Sequence, residues 1–199
     1  MPNWVYNTLS ATGSVVRINK LQEQLNRPVT ETNDDNCIES LRLNPVFSLW
    51  NIISPDDNMF KKWNEIWYTW SIENWGCKWD ACECDVYDIE RDDGKQVTYS
   101  FNTPWDPPNE AIINISKQYE DIEFTLVYEE ETGWGGEDEI INGVVTLVNQ
   151  YNWRCSNCDF NTMNDVEYCE DCESCPCPNC GSTETDTTCD AHTKDSNEE

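Results

Sequence analysis

"WVYNTLSATGSVVRINKLQEQL", residues 4–25, contains the change of period that decides the fold. Over residues 4–13, Val5, Leu9 and Ala11 alternate with Tyr6, Thr8 and Ser10, and Gly13 ends the run. One face is apolar and the other polar, the pattern of a half-buried strand. Val15, Ile18, Leu21 and Leu25 then recur at helical spacing, and Pro28 stops the helix. A strand running straight into an amphipathic helix opens a layered domain in which the helix covers one face of a sheet.

The rest of the first 150 residues extends this pattern. Residues 27–58 are polar and read as an insertion, within which "VFSLWNII" (46–53) is expected to pack on the core. "SPDDNMFKKWNEIWYTWSIENWG" (54–76) predicts a helix, with Ser54 as cap, Pro55 in the first turn and Asp57 at the capping-box position. Phe60, Trp63, Trp67 and Trp70 fall on one face of it, where they read as core. "KWDACECDVYDIE" (78–90) and "QVTYSFNT" (96–103) predict antiparallel strands joined through "DDGK" (92–95). "WDPPNEAIINISKQYE" (105–120) predicts a helix capped by Asp106, with Ala111, Ile112, Ile115 and Tyr119 inward. "DIEFTLVYEEE" (121–131) predicts a strand with Ile122, Phe124, Leu126 and Tyr128 on one side, and residues 140–153 a further strand or hairpin arm. The order strand, helix, insertion with helix, strand, strand, helix, strand is the split βαβ or ferredoxin-like order. The expected class is α+β: an antiparallel sheet with helices on one face, followed by a small C-terminal zinc-binding module.

Composition bounds the function. The 199-residue chain has a formal charge of −27. From Glu129 onward it has eighteen acidic residues against two basic ones, Arg154 and Lys194. Such a surface disfavours nucleic acid and anionic membranes, whose binding needs cations that replace counterions. It suits a protein partner, of the host or of a phage, with a basic face. No apolar run approaches the roughly 20 residues of a membrane span, and "MPNWVYNTLS" lacks the basic start and apolar stretch of a secretory signal. A cytoplasmic protein is expected, in which cysteines serve as metal ligands or free thiols before disulfides.

Four stretches, in order, carry a resemblance: "MPNWVYNTLSATG" (1–13), "WYTWSIENWGCKWDA" (67–81), "FNTPWDPP" (101–108) and "FTLVYEEETGWGG" (124–136). They resemble the signature stretches of a phage- and plasmid-borne family labelled YubB-type ferredoxin-like, which has no assigned function. Cys77 stands where that pattern has threonine, and Asp106 where it has serine. The resemblance spans about residues 1–150. It implies a ferredoxin-like topology without an iron–sulfur cluster, and a mobile-element origin. It supplies no catalytic residues.

The remaining chemistry is in the tail. Eight of twelve cysteines lie between Cys155 and Cys189. Cys155, Cys158, Cys169 and Cys172 form two Cys-x-x-Cys pairs, and each pair can hold one face of a tetrahedral Zn²⁺. With Trp153 and Phe160, this outline resembles the zinc finger of the Ran-binding-protein type. Thr162 stands where that type carries an asparagine, while Asp159-Phe160 and Asp171 stand at positions that ubiquitin-binding members use. Cys177 and Cys180 form a third pair, which Cys189 and His192 complete as a Cys3His set, with Cys175 as a competing ligand. A ribbon-like pairing of Cys155 and Cys158 with Cys177 and Cys180 is the alternative. Zn²⁺, one or two ions, is the expected cofactor. A structural Zn²⁺ contributes roughly 10–16 kcal/mol coupled to folding, against about 2–4 for a disulfide. A tail so poor in apolar residues needs the stabilisation that a metal gives. The organisation expected is a ferredoxin-like domain over 1–150, a zinc-binding module over 151–192 and an acidic end over 193–199.

Cys82 and Cys84, two apart in an expected strand, would share a face, with Cys77 just before them; they read as buried thiols, with a third metal site or a redox pair as the alternatives. No enzyme assembles from the sequence. His192 is the only histidine, and "GWGG" (133–136) follows three glutamates that would repel phosphate. The expected function is protein binding through the acidic surface, in a phage or mobile-element accessory role such as host takeover or antidefence. The alternative is binding of single-stranded nucleic acid through exposed aromatics.

Overall fold

The structure, a computed structural model, describes residues 2–32, 39–43, 45–91, 94–151, 153–154 and 161–162. The chain divides into two compact units, Met1–Glu131 with Glu137–Val148, and Thr132–Gly136 with Asn149–Glu199. In the second unit, the described β9 (Trp153–Arg154) and β10 (Asn161–Thr162) pair antiparallel, with Trp153 opposite Thr162.

The first unit is built around β1 (Trp4–Gly13), α1 (Val15–Leu25), β4 (Cys82–Arg91), β5 (Gly94–Pro104), α4 (Asn109–Gln118) and β6 (Glu123–Glu130). These strands lie in the order β4-β5-β1-β6, each pair antiparallel, which is the ferredoxin-like arrangement expected from the sequence. The insertion contributes a small hairpin, β2 (Val29–Thr32) with β3 (Glu39–Arg42), a 3-10 turn (Leu49–Asn51), and the helices α2 (Asp57–Phe60) and α3 (Trp63–Trp75). Strands β7 (Gly135–Ile141) and β8 (Val144–Tyr151) lengthen the sheet to six, in the order β4-β5-β1-β6-β7-β8. Of the two forms expected over 140–153, a further strand or a hairpin arm, the structure has the hairpin arm: β8 follows β7 through a tight turn. The turn is Asn142-Gly143, with φ of 47° and 75°, the left-handed pair that a two-residue hairpin turn requires.

Alternation places the core as the sequence requires. Val5, Leu9 and Ala11 of β1, Val97, Tyr99 and Phe101 of β5, and Phe124, Leu126 and Tyr128 of β6 are all buried. So are Ile18, Leu21 and Leu25 of α1, and Ala111, Ile112 and Ile115 of α4, which cover them. Val15 is exposed, because on the helical wheel it lies at the margin of the stripe formed by Ile18, Leu21 and Leu25. From the insertion, Phe47 stacks on Phe101 at 4.5 Å and sits 5.2 Å from Tyr99. The opposite face of the sheet carries no helix among the described residues and exposes Tyr6 and Tyr87.

Three local expectations are corrected. The helix expected from Ser54 is capped two residues later, by the Asp56 carboxylate, which accepts from the Asn58 and Met59 amides at 2.8 Å. It breaks after Phe60 and restarts at Trp63. Asp106 does not cap α4, whose first turn follows Pro108. Finally, Cys82 pairs with Asn102 and Asp85 with Ser100, so three residues of β4 span two of β5. This bulge, with Glu83 at φ 52°, puts Cys84 on the face opposite Cys82, where its thiol meets the Phe47 carbonyl.

α3 ends at Gly76, which takes the left-handed conformation at φ 88° and donates its amide to the Ile72 carbonyl. A Cβ there would lie 3.1–3.3 Å from Asn109 N, Pro107 O and Glu110 N, all backbone atoms. Gly76→Ala is therefore expected to cost about 1–2 kcal/mol for the left-handed conformation alone, and more for the contact with α4. Urea unfolding of the variant measures it.

Candidate aromatic site

The sequence after that glycine cap builds the most unusual side-chain arrangement of the described residues. Lys78 leaves the end of α3 and its ammonium is enclosed by four rings. Nζ lies 4.7 Å from the ring centre of Trp105, 5.0 Å from Trp79, 5.6 Å from Trp67 and 5.9 Å from Tyr68. All are within the range of cation–π attraction, about 6 Å. Trp79 meets Trp105 edge-on at 5.5 Å and Trp4 at 6.2 Å, so the wall continues to the start of β1. Among the described residues no carboxylate forms an ion pair with Lys78. The rims of the box are open to solvent: Tyr68 is 54% exposed and Trp105 40%.

Each wall has its own anchor. Trp67 and Tyr68 come from α3, whose other face is held by a tryptophan cluster. There Trp50 sits 5.2 Å from Trp63, 6.5 Å from Trp70 and 5.1 Å from Trp75, and the Trp75 indole N–H donates to the Ile53 carbonyl at 3.0 Å. Of the three tryptophans expected in the core from this helix, Trp63 and Trp70 are buried, and Trp67 is the one diverted to the box. The Lys78-Trp79 loop is fixed by Asp80, whose carboxylate accepts from the Ser48 hydroxyl at 2.7 Å and the Leu49 and Ala81 amides at 2.6 and 2.9 Å.

Trp105 is held at φ 63°, a left-handed conformation that costs a bulky residue of order 1–3 kcal/mol. Its amide donates to the Asn3 carbonyl at 2.9 Å. Beside it, buried Asn7 donates to Thr103 Oγ1 at 2.9 Å, and the Thr103 hydroxyl donates to the Asp106 carbonyl at 2.8 Å. This relay from β1 through β5 fixes the turn that presents the ring.

Of the three thiols expected to be buried, only Cys77 is; Cys82 and Cys84 are half-buried. Cys77 is fully buried and donates to the Trp79 carbonyl at 3.3 Å. Burial pushes its thiol well above the ordinary range, and nearby Asp80, Asp106 and Cys82 add to that. Cys82 is raised by burial and by Glu83 and Asp80, and donates to the Asn102 carbonyl. Because the thiolate is the reactive form, Cys77 should resist a disulfide-exchange reagent at pH 8 until the domain unfolds. Counting reacted thiols before and after denaturation, with Cys77→Ser as the marker, checks this.

The predicted ligands Cys155, Cys158, Cys169, Cys172, Cys177, Cys180, Cys189 and His192 lie outside the described residues. Among the described residues no group of three or more His, Cys, Asp or Glu side chains is placed to hold a metal ion, and no helix is long and apolar enough to cross a membrane. The box is what sequence reasoning missed. Its signal was a lysine between tryptophans beside a helix-ending glycine, "WGCKW" (75–79), with a second tryptophan bracketed by prolines, "PWDPP" (104–108).

Three of the four stretches that carry the family resemblance meet at this box, through Trp4, through Trp67 to Trp79, and through Trp105. The fourth touches it at the end of β6, where the Glu131 amide donates to the Trp4 carbonyl at 3.1 Å. No curated protein matches the chain. The crystal structure of protein api92 from Yersinia pseudotuberculosis is similar to it with a TM-score of 0.56 at 10% identity, over 78% of this chain and 99% of that one, a likeness of fold. Residues 84–170 match the family model described as "Ferredoxin-like domain in Api92-like protein". The chain thus carries a ferredoxin-like domain similar to that of Api92-like proteins, a family of unknown function.

Proposed function

We propose that this is a mobile-element accessory protein, of phage or plasmid, that works by binding another protein in the host cytoplasm. The observation that carries the reading is β8. Its residues from Val144 to Val148 are uncharged and exposed on both faces, with Val144 67% and Leu147 54% exposed. An apolar edge strand this open is a ready template for a partner's strand or apolar surface. At the other edge, β4 exposes Asp85, Asp88 and Glu90, which protect it from pairing. Exposed Glu139 on the neighbouring β7 and the formal charge of −27 leave β8 in an acidic setting, which favours a partner with basic residues around an apolar centre.

In this reading one or two Zn²⁺, held by the ligands named above, would fold the Cys-rich segment, whose carboxylates add to the negative charge of the chain. Host takeover or antidefence, with carboxylates in the place of nucleic-acid phosphates, is the role such a surface suits. Affinity capture from host lysate by the full chain, by a form ending at residue 150, and by Val145→Asp/Leu147→Asp tests it. The reading predicts a salt-sensitive partner lost with the β8 variant. Equal recovery by all three forms rejects it.

Binding of single-stranded nucleic acid is the second reading, favoured by Tyr6 and Tyr87, exposed on the helix-free face of the sheet. Such binding needs a basic track beside the stacking rings, and this chain has twelve lysines and arginines against thirty-nine acids. Salt-sensitive retardation of a single-stranded RNA at physiological ionic strength would reverse the order of the two readings.

A further inference from the structure

We propose that the Trp67–Tyr68–Trp79–Trp105 box is a recognition site for an organic cation, and that Lys78 is its resident occupant. The group it takes is an alkylated or quaternary ammonium, such as an N-methylated lysine on a basic partner. This deepens the reading above by naming what such a partner presents.

The geometry supplies a site already shaped for a cation. Four rings surround one ammonium at 4.7–5.9 Å, which is how aromatic cages hold quaternary ammonium ligands. The occupant is held by the rings alone among the described residues, without a carboxylate to lock it in. Lys78 is also the weaker kind of occupant. A primary ammonium is compact and strongly hydrated, so it gives up much hydration to sit among rings. An alkylated ammonium gives up less and covers more of the ring surface. Lys78 has a flexible four-carbon stem on which to swing out to water.

Entry is open on the solvent side, where Tyr68 and Trp105 form the rim. The left-handed conformation of Trp105 is an independent sign of a site. The chain holds a bulky residue at φ 63° and uses the Asn7–Thr103–Asp106 relay to keep it there, with the ring turned to the box and the surface. Charge agrees as well: a chain with a formal charge of −27 attracts cations over distance, and the box adds the short-range selection.

The test uses tetramethylammonium chloride as probe, with sodium chloride at matched ionic strength as reference. The full chain and Lys78→Ala are titrated, with melting temperature and tryptophan fluorescence as readouts. Lys78→Ala should melt lower than the unmodified chain in sodium chloride, and tetramethylammonium should return part of that loss with saturation. The unmodified chain should bind the same probe about tenfold or more weakly, because Lys78 must first leave. The double variant Lys78→Ala/Trp105→Ala should lose the response.

The proposal is overturned if Lys78→Ala responds no more to tetramethylammonium than to sodium, or if removing Trp105 leaves the response intact. Should Lys78→Ala not fold, indole N–H resonances of the unmodified chain decide. Choline must move those of Trp67, Trp79 and Trp105 while leaving Trp63, Trp70 and Trp75 in place; shifts of all six alike, or of none, reject the site. Because the probe is a small molecule, the box can fail while β8 still binds a protein, and the reverse.

Discussion

Trp50→Ala should destabilise the ferredoxin-like domain by about 3–5 kcal/mol, the cost of deleting a large buried ring from a packed core. That is a large share of the roughly 5–15 kcal/mol that holds an ordinary domain together. Trp50 comes from the insertion, yet it is the hub of the aromatic packing. It touches Phe60, Trp63, Trp70 and Trp75 with ring centres 5.1–6.5 Å apart, and is itself 8% exposed. Removing it leaves a cavity whose walls are stiff rings on α3, so collapse around it is poor. Because α3 also carries Trp67 and Tyr68, the Lys78 box should loosen with it. Urea unfolding followed by circular dichroism measures the loss. Trp50→Phe, which keeps a ring in the cavity, should recover a substantial part of it.

Removal of metal should have the other large effect, confined to the Cys-rich segment. On the zinc reading, purified protein holds one or two zinc ions per chain. A strong chelator then removes a coupled folding free energy of roughly 10–16 kcal/mol per site. The expected result is release of zinc together with a burst of reactive thiols from Cys155 to Cys189, while the buried Cys77 stays unreactive. Replacing Cys155 and Cys158 by serine should remove the ion held by that pair. Elemental analysis that finds no zinc would remove the folding argument for the tail.

The parts of the fold that follow a simple period were legible. β1, β5 and β6 alternate, α1 and α4 repeat every three to four residues, and each buries the residues its pattern names. β7 was not legible for a physical reason. Its inward positions include Asp138, 5% exposed, so the apolar alternation that marks a strand is absent. Burial pushes the Asp138 carboxyl up, and a hydrogen bond with Tyr128 partly offsets this. Next to it, β6 ends on buried Glu130. The sheet thus extends through acidic residues that a hydrophobic pattern takes for loop. The bulge at Glu83 was invisible for a related reason, since nothing in "CECD" (82–85) reports the register of its partner strand.

The candidate site was legible only in pieces. Trp67, Lys78, Trp79 and Trp105 belong to three segments, and a period-based reading treats each alone. Trp67 fell on the same helical face as Trp63 and Trp70, and only the tertiary position of the Gly76 turn separates it from them. The left-handed conformation of Trp105 runs against its intrinsic preference. It is imposed by long-range hydrogen bonds to Asn3 and through Thr103, and no local rule predicts it.

Whether the open β8 edge in its acidic setting binds a protein is decided by quantitative affinity capture from host lysate. The full chain and Val145→Asp/Leu147→Asp are compared, each at low and at high salt. The expected result is a discrete partner held by the full chain at low salt, released at high salt, and absent with the β8 variant although that variant folds. A partner retained equally by both forms would refute protein binding through β8, as would a captured set no different from that of an unrelated acidic protein.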